Sequence, residues 1–265
     1  MRNFIRIIAG VVFLLVCFGG YMYFKQEKFI FPGGELASDY KFEFSTPFEE
    51  LFIETKDSET LNALHFKVSN PKGVLLYFHG NTGTLARWGE IASYFTELNY
   101  NVLVMDYRSY GKSTGVVNEK AMLEDTQLFY NYLLNQFTED QIIVYGRSIG
   151  TSFATYVASK NKPRKLILET PFYNLNDLTK ERFSLVPLYK LLKYKLPTNS
   201  FIVKVTCPII IIHGTNDRVV PYSSGEKLSK EVPEEQLTFI KIPNGSHNNL
   251  IDFDSYQKEI KKILK

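Results

Sequence analysis

Short apolar runs rich in Val, Ile and Leu recur along the chain: Val74–Phe78, Val102–Met105, Ile142–Tyr145, Leu166–Leu168, Ile209–Ile212 and Leu237–Ile242. A run without polar alternation predicts a strand buried on both faces, as in a parallel sheet with helices on each side. Between the runs lie longer mixed segments with helical spacing: Leu85–Leu98, Glu119–Phe137, Ile149–Ser159, Ser223–Val232 and Phe253–Leu264. The alternation implies right-handed crossovers and an open, doubly wound, mostly parallel α/β sheet. Ahead of it, Leu51–Thr55 and Leu61–Val68 flank the turn cluster Lys56-Asp57-Ser58 and read as a hairpin. Residues 172–206 break the pattern. They carry Pro187 and Pro197 and no strand, and at that length they predict a small helical cap or lid. Within them Leu185, Leu188, Tyr189, Leu192 and Leu196 form a helically spaced stripe, with Lys190 and Lys193 off it. The stripe packs on the sheet, or it lies at a membrane interface and admits lipidic substrate.

The first thirty residues differ in kind. Residues 7–24 are eighteen consecutive uncharged positions between Arg2 and Arg6 on one side and Lys25 and Lys28 on the other. As a helix this run is roughly 27 Å long, enough to cross a hydrocarbon core. Tyr21, Tyr23 and Phe24 sit where an interfacial aromatic belt belongs. A cleaved signal peptide is the first alternative, but the apolar run continues past Gly19 and Gly20. A lipoprotein signal ending at Cys17 is the second, and the bulky Val16 before it argues against that. The expected organisation is a basic tail over 1–6, a transmembrane signal-anchor helix over 7–24, a tether over 25–47 and a catalytic domain over 48–265. Basic residues flank the span evenly, so charge leaves its orientation open. For a bacterial chain the domain is expected to be extracytoplasmic.

Composition narrows the classes further. With 45% hydrophobic and 22% charged residues, the chain is neither disordered nor fibrous. Its net charge is +3, and two of the basic residues precede the span, leaving 29 basic against 28 acidic side chains. That balance excludes a nucleic-acid binder as the expected class. Cys17 and Cys207 lack a companion Cys or His at ligand spacing, so neither a disulfide nor a metal site is expected.

The most informative string is Gly146-Arg147-Ser148-Ile149-Gly150, directly after one buried run and before a small-residue helix. A serine on a tight strand-to-helix turn has a strained backbone, and the flanking glycines remove side chains that would clash across it. The following helix aims its N-terminal N–H groups at the site, where negative charge develops. A serine nucleophile needs a base, and there are four histidines. His79 and His213 end buried strands before Gly and are better suited to fixing loops, and His65 lies in the hairpin. His247 lies in a polar loop after the last strand and is the candidate base. Asp217, in the loop after Ile209–Ile212, is the candidate acid that orients it. The loop His79-Gly80-Asn81-Thr82-Gly83 follows Val74–Phe78 and brings backbone close to a bound carbonyl. The N–H groups of Asn81 and Ile149 are the expected oxyanion donors. A phosphate loop is disfavoured, because no Lys-Ser or Lys-Thr pair follows Gly83.

His79-Gly80-Asn81, Asp106-Tyr107-Arg108-Ser109-Tyr110-Gly111, Gly146-Arg147-Ser148-Ile149-Gly150, His213-Gly214-Thr215-Asn216-Asp217 and Gly245-Ser246-His247 together resemble the ordered motifs of the α/β-hydrolases. The likeness is to the serine-aminopeptidase-like branch, and within it to membrane-anchored members that include protein depalmitoylases and many bacterial hydrolases. It covers about Phe29 to the C-terminus. One departure stands out: the family often has Gly where this chain has Ser109. Asp106 and Arg108 are expected to buttress loops. The resemblance implies that Ser148 attacks an acyl carbonyl, His247 moves the proton, and water releases the acid from an acyl-enzyme, with no cofactor. Esters or thioesters of lipid-like molecules, or of an acylated protein, are the implied substrates. An aminopeptidase or amidase, and a non-catalytic binding scaffold, are the alternatives. Oligomeric state is left open.

Overall fold

The computed structural model describes residues 1–184 and 187–265. Its first element, α1 (Arg2–Ile30), is one continuous helix, longer than the uncharged run and extending into the expected tether. The rest of that tether is held to the domain by bridges pairing Gly33 with Gly83 and Glu35 with Gly111.

The hairpin is β1 (Phe48–Glu54) and β2 (Thr60–Phe66), paired antiparallel with Leu51 opposite Ala63. It starts three residues earlier and ends two residues sooner than its apolar runs suggest. Next come β3 (Val74–Phe78), α2 (Leu85–Ser93), β4 (Asn101–Met105), α3 (Glu119–Leu134), β5 (Ile142–Arg147) and α4 (Gly150–Ala158). The order continues with β6 (Lys165–Glu169), α5 (Leu175–Arg182), α6 (Thr198–Ile202), β7 (Ile209–Gly214), α7 (Tyr222–Ser229), β8 (Leu237–Ile242) and α8 (Asp254–Ile263). The strands form one eight-stranded sheet in the order β1-β2-β4-β3-β5-β6-β7-β8, antiparallel at β1 and β2 and parallel from β4 to β8. β3 through β8 carry the predicted apolar runs; β3 through β7 are almost wholly buried, whereas β8, the edge strand, departs from the expected double burial, with Thr238 and Lys241 exposed.

Successive strand residues face opposite layers. Leu76, Phe78 and Val144 pack with Phe129 of α3 and Phe153 of α4. Leu75, Tyr77 and Tyr145 pack with Trp88 of α2 and Ile260 of α8. A sheet covered on both faces leaves its C-terminal strand ends as the open edge, where ligands bind in such folds.

Residues 172–206 depart from the expected helical stripe. Leu185 lies outside the described residues. Only a 3₁₀ turn forms at Leu188–Leu191, while Leu192 is extended and Leu196 has a φ of +39°. Pro187 lacks an N–H for a helix ladder, and Pro197 disfavours helix at the residue before it. The apolar residues therefore divide: Leu188, Tyr194 and Leu196 are buried, and Leu191 is exposed.

Candidate active site

Ser148 stands at the end of β5, where the chain turns from strand into α4. Its φ is +54°, a left-handed conformation held by Ser148 N–H donating to Glu169 carbonyl (2.9 Å) and by Thr151 N–H donating to Ser148 carbonyl (3.0 Å). The turn requires both flanking glycines. A Cβ on Gly150 would run into the Phe78 carbonyl, and one on Gly146 would lie 2.7 Å from Thr151 Cα.

Two loops from the same sheet edge meet this serine. His247, after β8, places Nε2 2.9 Å from Ser148 Oγ and Nδ1 2.7 Å from Asp217 Oδ2. With Nδ1–H donating to the carboxylate, Nε2 is left as an acceptor facing the serine hydroxyl. Asp217, after β7, accepts at Oδ1 from the N–H groups of Val219 (2.8 Å) and Val220 (2.9 Å). Burial alone would raise its pKa. Hydrogen bonds from His213 and His247 and the charge of His247 outweigh burial and hold the carboxyl well below its usual range. The sequence placed His213 as a loop-fixing residue, and its Nε2 lies 3.0 Å from the Val220 carbonyl and 3.4 Å from Asp217 Oδ2.

The loop after β3 closes the other side, and aromatic donors hold its carbonyls. Tyr107 donates to His79 O (2.8 Å), Tyr110 to Asn81 O (2.7 Å) and Trp88 Nε1 to Thr82 O (2.7 Å). The His79 ring stacks on Trp88, with Nε2 3.3 Å from Asp106. Gly80 faces the serine, and a Cβ there would lie 3.9 Å from Ser148 Cβ. Among the described residues, neither Asn81 N–H nor Ile149 N–H has an internal acceptor, and both residues line a cavity of about 430 Å³ that reaches Ser148. Ser109, where the resembling proteins often have Gly, takes a φ of +65°, and its Oγ donates to the Gly115 carbonyl (2.7 Å). The turn therefore persists without the glycine.

Sequence reasoning gave no role to Arg147, the residue just before the serine. It is buried, with Nε 3.2 Å from Glu169 Oε1 and its guanidinium 5.5 Å above the Trp88 ring. Its Nη2 donates to the His247 carbonyl (3.3 Å) and to Asn248 Oδ1 (3.4 Å). Burial opposes the charge on Arg147, and the Glu169 carboxylate more than offsets it. Tyr145 and Tyr256 donate to the other Glu169 oxygen. A lone Arg inside a serine motif carries no sign of this network, because Glu169 and Tyr256 reach it only through the fold. Among the described residues, no group of His, Cys, Asp and Glu is arranged to hold a metal.

The family model described as serine aminopeptidase, S33, matches residues 69–202, half of the chain. The chain belongs to that family of α/β-hydrolases. Among similar proteins, protein bem46 of Schizosaccharomyces pombe is 28% identical over 262 residues, covering 92% of this chain and 87% of that one. Lysophosphatidylserine lipase ABHD12 of Danio rerio is 30% identical over 213 residues, covering 71% of this chain and 55% of the lipase. This chain thus spans about half of that lipase's length. In fold, the Pyrococcus furiosus esterase Pf2001 is similar with a TM-score of 0.68 at 18% identity, covering 88% of this chain and 94% of that one.

Proposed function

We propose that this hydrolase is a membrane-anchored serine esterase or thioesterase acting on acyl chains, with Ser148 as nucleophile, His247 as base and Asp217 as its orienting acid. The hydrogen-bonded line from Asp217 through His247 to Ser148, opening on an apolar cavity, carries the reading. Attack by Ser148 Oγ on the acyl carbonyl transfers its proton to His247 Nε2, and the imidazolium is stabilised by Asp217. The oxyanion is received by the N–H groups of Asn81 and Ile149. His247 then protonates the leaving alcohol or thiol. Water, deprotonated by the same nitrogen, releases the acid from the acyl-enzyme.

The family's name raises an aminopeptidase as the competing activity. Among the described residues the cavity wall includes no Asp or Glu to pair with a substrate's free ammonium, which favours acyl esters. The lipase and esterase among the similar proteins support the same preference. As for the anchor, α1 is long and apolar enough to cross a membrane, with Phe13, Leu14 and Val16 exposed. The test is covalent labelling by a fluorophosphonate with hydrolysis of a nitrophenyl acyl ester. Wild type is expected to do both and Ser148→Ala neither. Folded wild-type protein that does neither would refute the assignment.

A further inference from the structure

The active-site cavity is walled in part by the N-terminal helix itself. Met22, Gln26, Phe29 and Ile30 line it opposite Ser148 and Ile149. These positions recur every three or four residues and so share one face of α1. The same face continues two turns further up: Leu15, Phe18, Gly19 and Tyr23 line a second, mainly apolar groove, of about 730 Å³, against Pro187, Leu188, Lys190 and Leu191. Leu188 and Leu191 belong to both hollows, so the groove and the cavity adjoin.

The helix is positioned by directional contacts. Gln26 Oε1 accepts from Lys193 N–H (2.8 Å), and its Nε2 donates to the Leu191 carbonyl (3.3 Å). Lys193 pairs with Glu27 at 3.2 Å. At the last turn, Asn81 Nδ2 donates to the Ile30 carbonyl (3.2 Å), tying α1 to the loop that also carries a proposed oxyanion donor. Gly19 faces Leu191 across the groove. A Cβ there would already lie 3.4 Å from Leu191 Cδ1.

Resting on the esterase reading above, we infer that the face of α1 from Leu15 to Ile30 is an acyl-chain subsite, through which a long chain passes from the bilayer to Ser148 alongside Leu188 and Leu191. From Gly19 to Ile30 the helix rises about 17 Å, so the subsite takes a chain much longer than the catalytic cavity needs. The occupant is a single extended acyl chain, because the lining of both hollows is mainly aliphatic and aromatic, with Lys190 at the groove and Arg182 at the cavity as its charged members, and the polar groups of α1 at Gln26 and Glu27 are engaged by the 191–194 backbone, Lys193 and Tyr194. Short-chain esters reach the serine without using the groove.

The test plugs the groove without touching the site. The full-length Gly19→Phe protein, in phosphatidylcholine nanodiscs, is assayed on a hexadecanoyl ester and on a soluble butyryl ester. The expected result is a loss of about tenfold or more in kcat/KM for the long chain and a change within about twofold for the short one. Unchanged long-chain turnover, or equal loss on both esters, overturns the subsite. If Gly19→Phe does not fold, the wild-type protein decides. A hexadecyl fluorophosphonate with a terminal diazirine, bound at Ser148, should photolabel Leu15–Tyr23 or Leu188–Leu191, and adducts confined to α5 overturn the inference. Wild-type protein that resists every fluorophosphonate overturns the esterase reading and the subsite with it. Labelling with adducts elsewhere overturns the subsite alone.

Discussion

Arg147 offers the sharpest link between packing and chemistry. Replacing it by Met keeps most of the side-chain volume under Trp88 and removes the charge that faces Glu169 at 3.2 Å and the donor to the His247 carbonyl. Breaking a buried ion pair from one side costs about 3–5 kcal/mol, since the remaining charge loses its partner. Tyr145 and Tyr256 still donate to Glu169 in the variant, which points to the lower end, about 3 kcal/mol. For a domain of this size that corresponds to a fall in Tm of roughly 6–12 °C. The catalytic consequence is separate. Freed from Arg147, the His247 loop is displaced, and a misplacement on the order of 1 Å costs about a hundredfold in rate. Because Arg147 acts through another residue, the loss should fall on kcat with KM little changed. Thermal unfolding and steady-state kinetics on a short-chain ester measure both effects. The double variant Arg147→Met/Glu169→Leu should melt higher than additive losses require, because neither buried charge is then left alone. An Arg147→Met protein melting within about 2 °C of wild type, or strictly additive losses, would show that the pair does not hold this edge together.

Three further outcomes are expected. Asp217→Asn should leave the protein folded and lower kcat by about four orders of magnitude, because the amide no longer enforces the His247 tautomer; an effect below about tenfold on an activated ester would remove Asp217 from the mechanism. Burial lowers the His65 pKa to about 4, against about 6.5 in an unfolded chain. The unfolded state therefore takes up a proton in that window that the native state refuses, so stability falls as pH drops through it. His65→Leu should narrow the Tm difference between pH 7 and pH 5, and an unchanged difference would exclude His65 as its source. Gly150→Ala, which drives a methyl against the Phe78 carbonyl, should cost at least about 2 kcal/mol, and a wild-type melting curve would count against the crowding.

The parts of this molecule that were legible in the sequence have local causes. Short unbroken runs of Val, Ile and Leu such as Ile209–Ile212 read as strands buried on both faces, and a serine flanked at two residues' spacing by glycines after such a strand has few other places to go. His247 and Asp217 could be placed because they follow the last two strands of a parallel sheet, whose C-terminal ends share one edge. The rest is set by the fold. The apolar pattern does not contain the crossing of β3 and β4 in the sheet order, since both strands look alike. Glu169 and Tyr256 become partners of Arg147 only when β6 and α8 close on β5. The leucine stripe before Pro197 failed as a helix because spacing cannot overrule a proline on either side. The face of α1 is the most instructive case. A run apolar enough for lipid is apolar all round, so nothing in it marks the side that turns toward Ser148.

The side chain of Asn81, hydrogen-bonded to the last turn of α1, bears on how such a protein is prepared. Trimming the chain to begin at Phe31 would remove this helix while leaving Ser148, His247 and Asp217, which lie on other elements, in the chain, and a small chromogenic ester that does not use the helix would not register the loss. It would nevertheless be a different catalyst, with one wall of its cleft replaced by solvent and a loop amide set free. On the proposed subsite, substrate preferences ranked on the trimmed protein would describe an open trough, where the intact chain would present a slot walled by Met22, Gln26, Phe29 and Ile30.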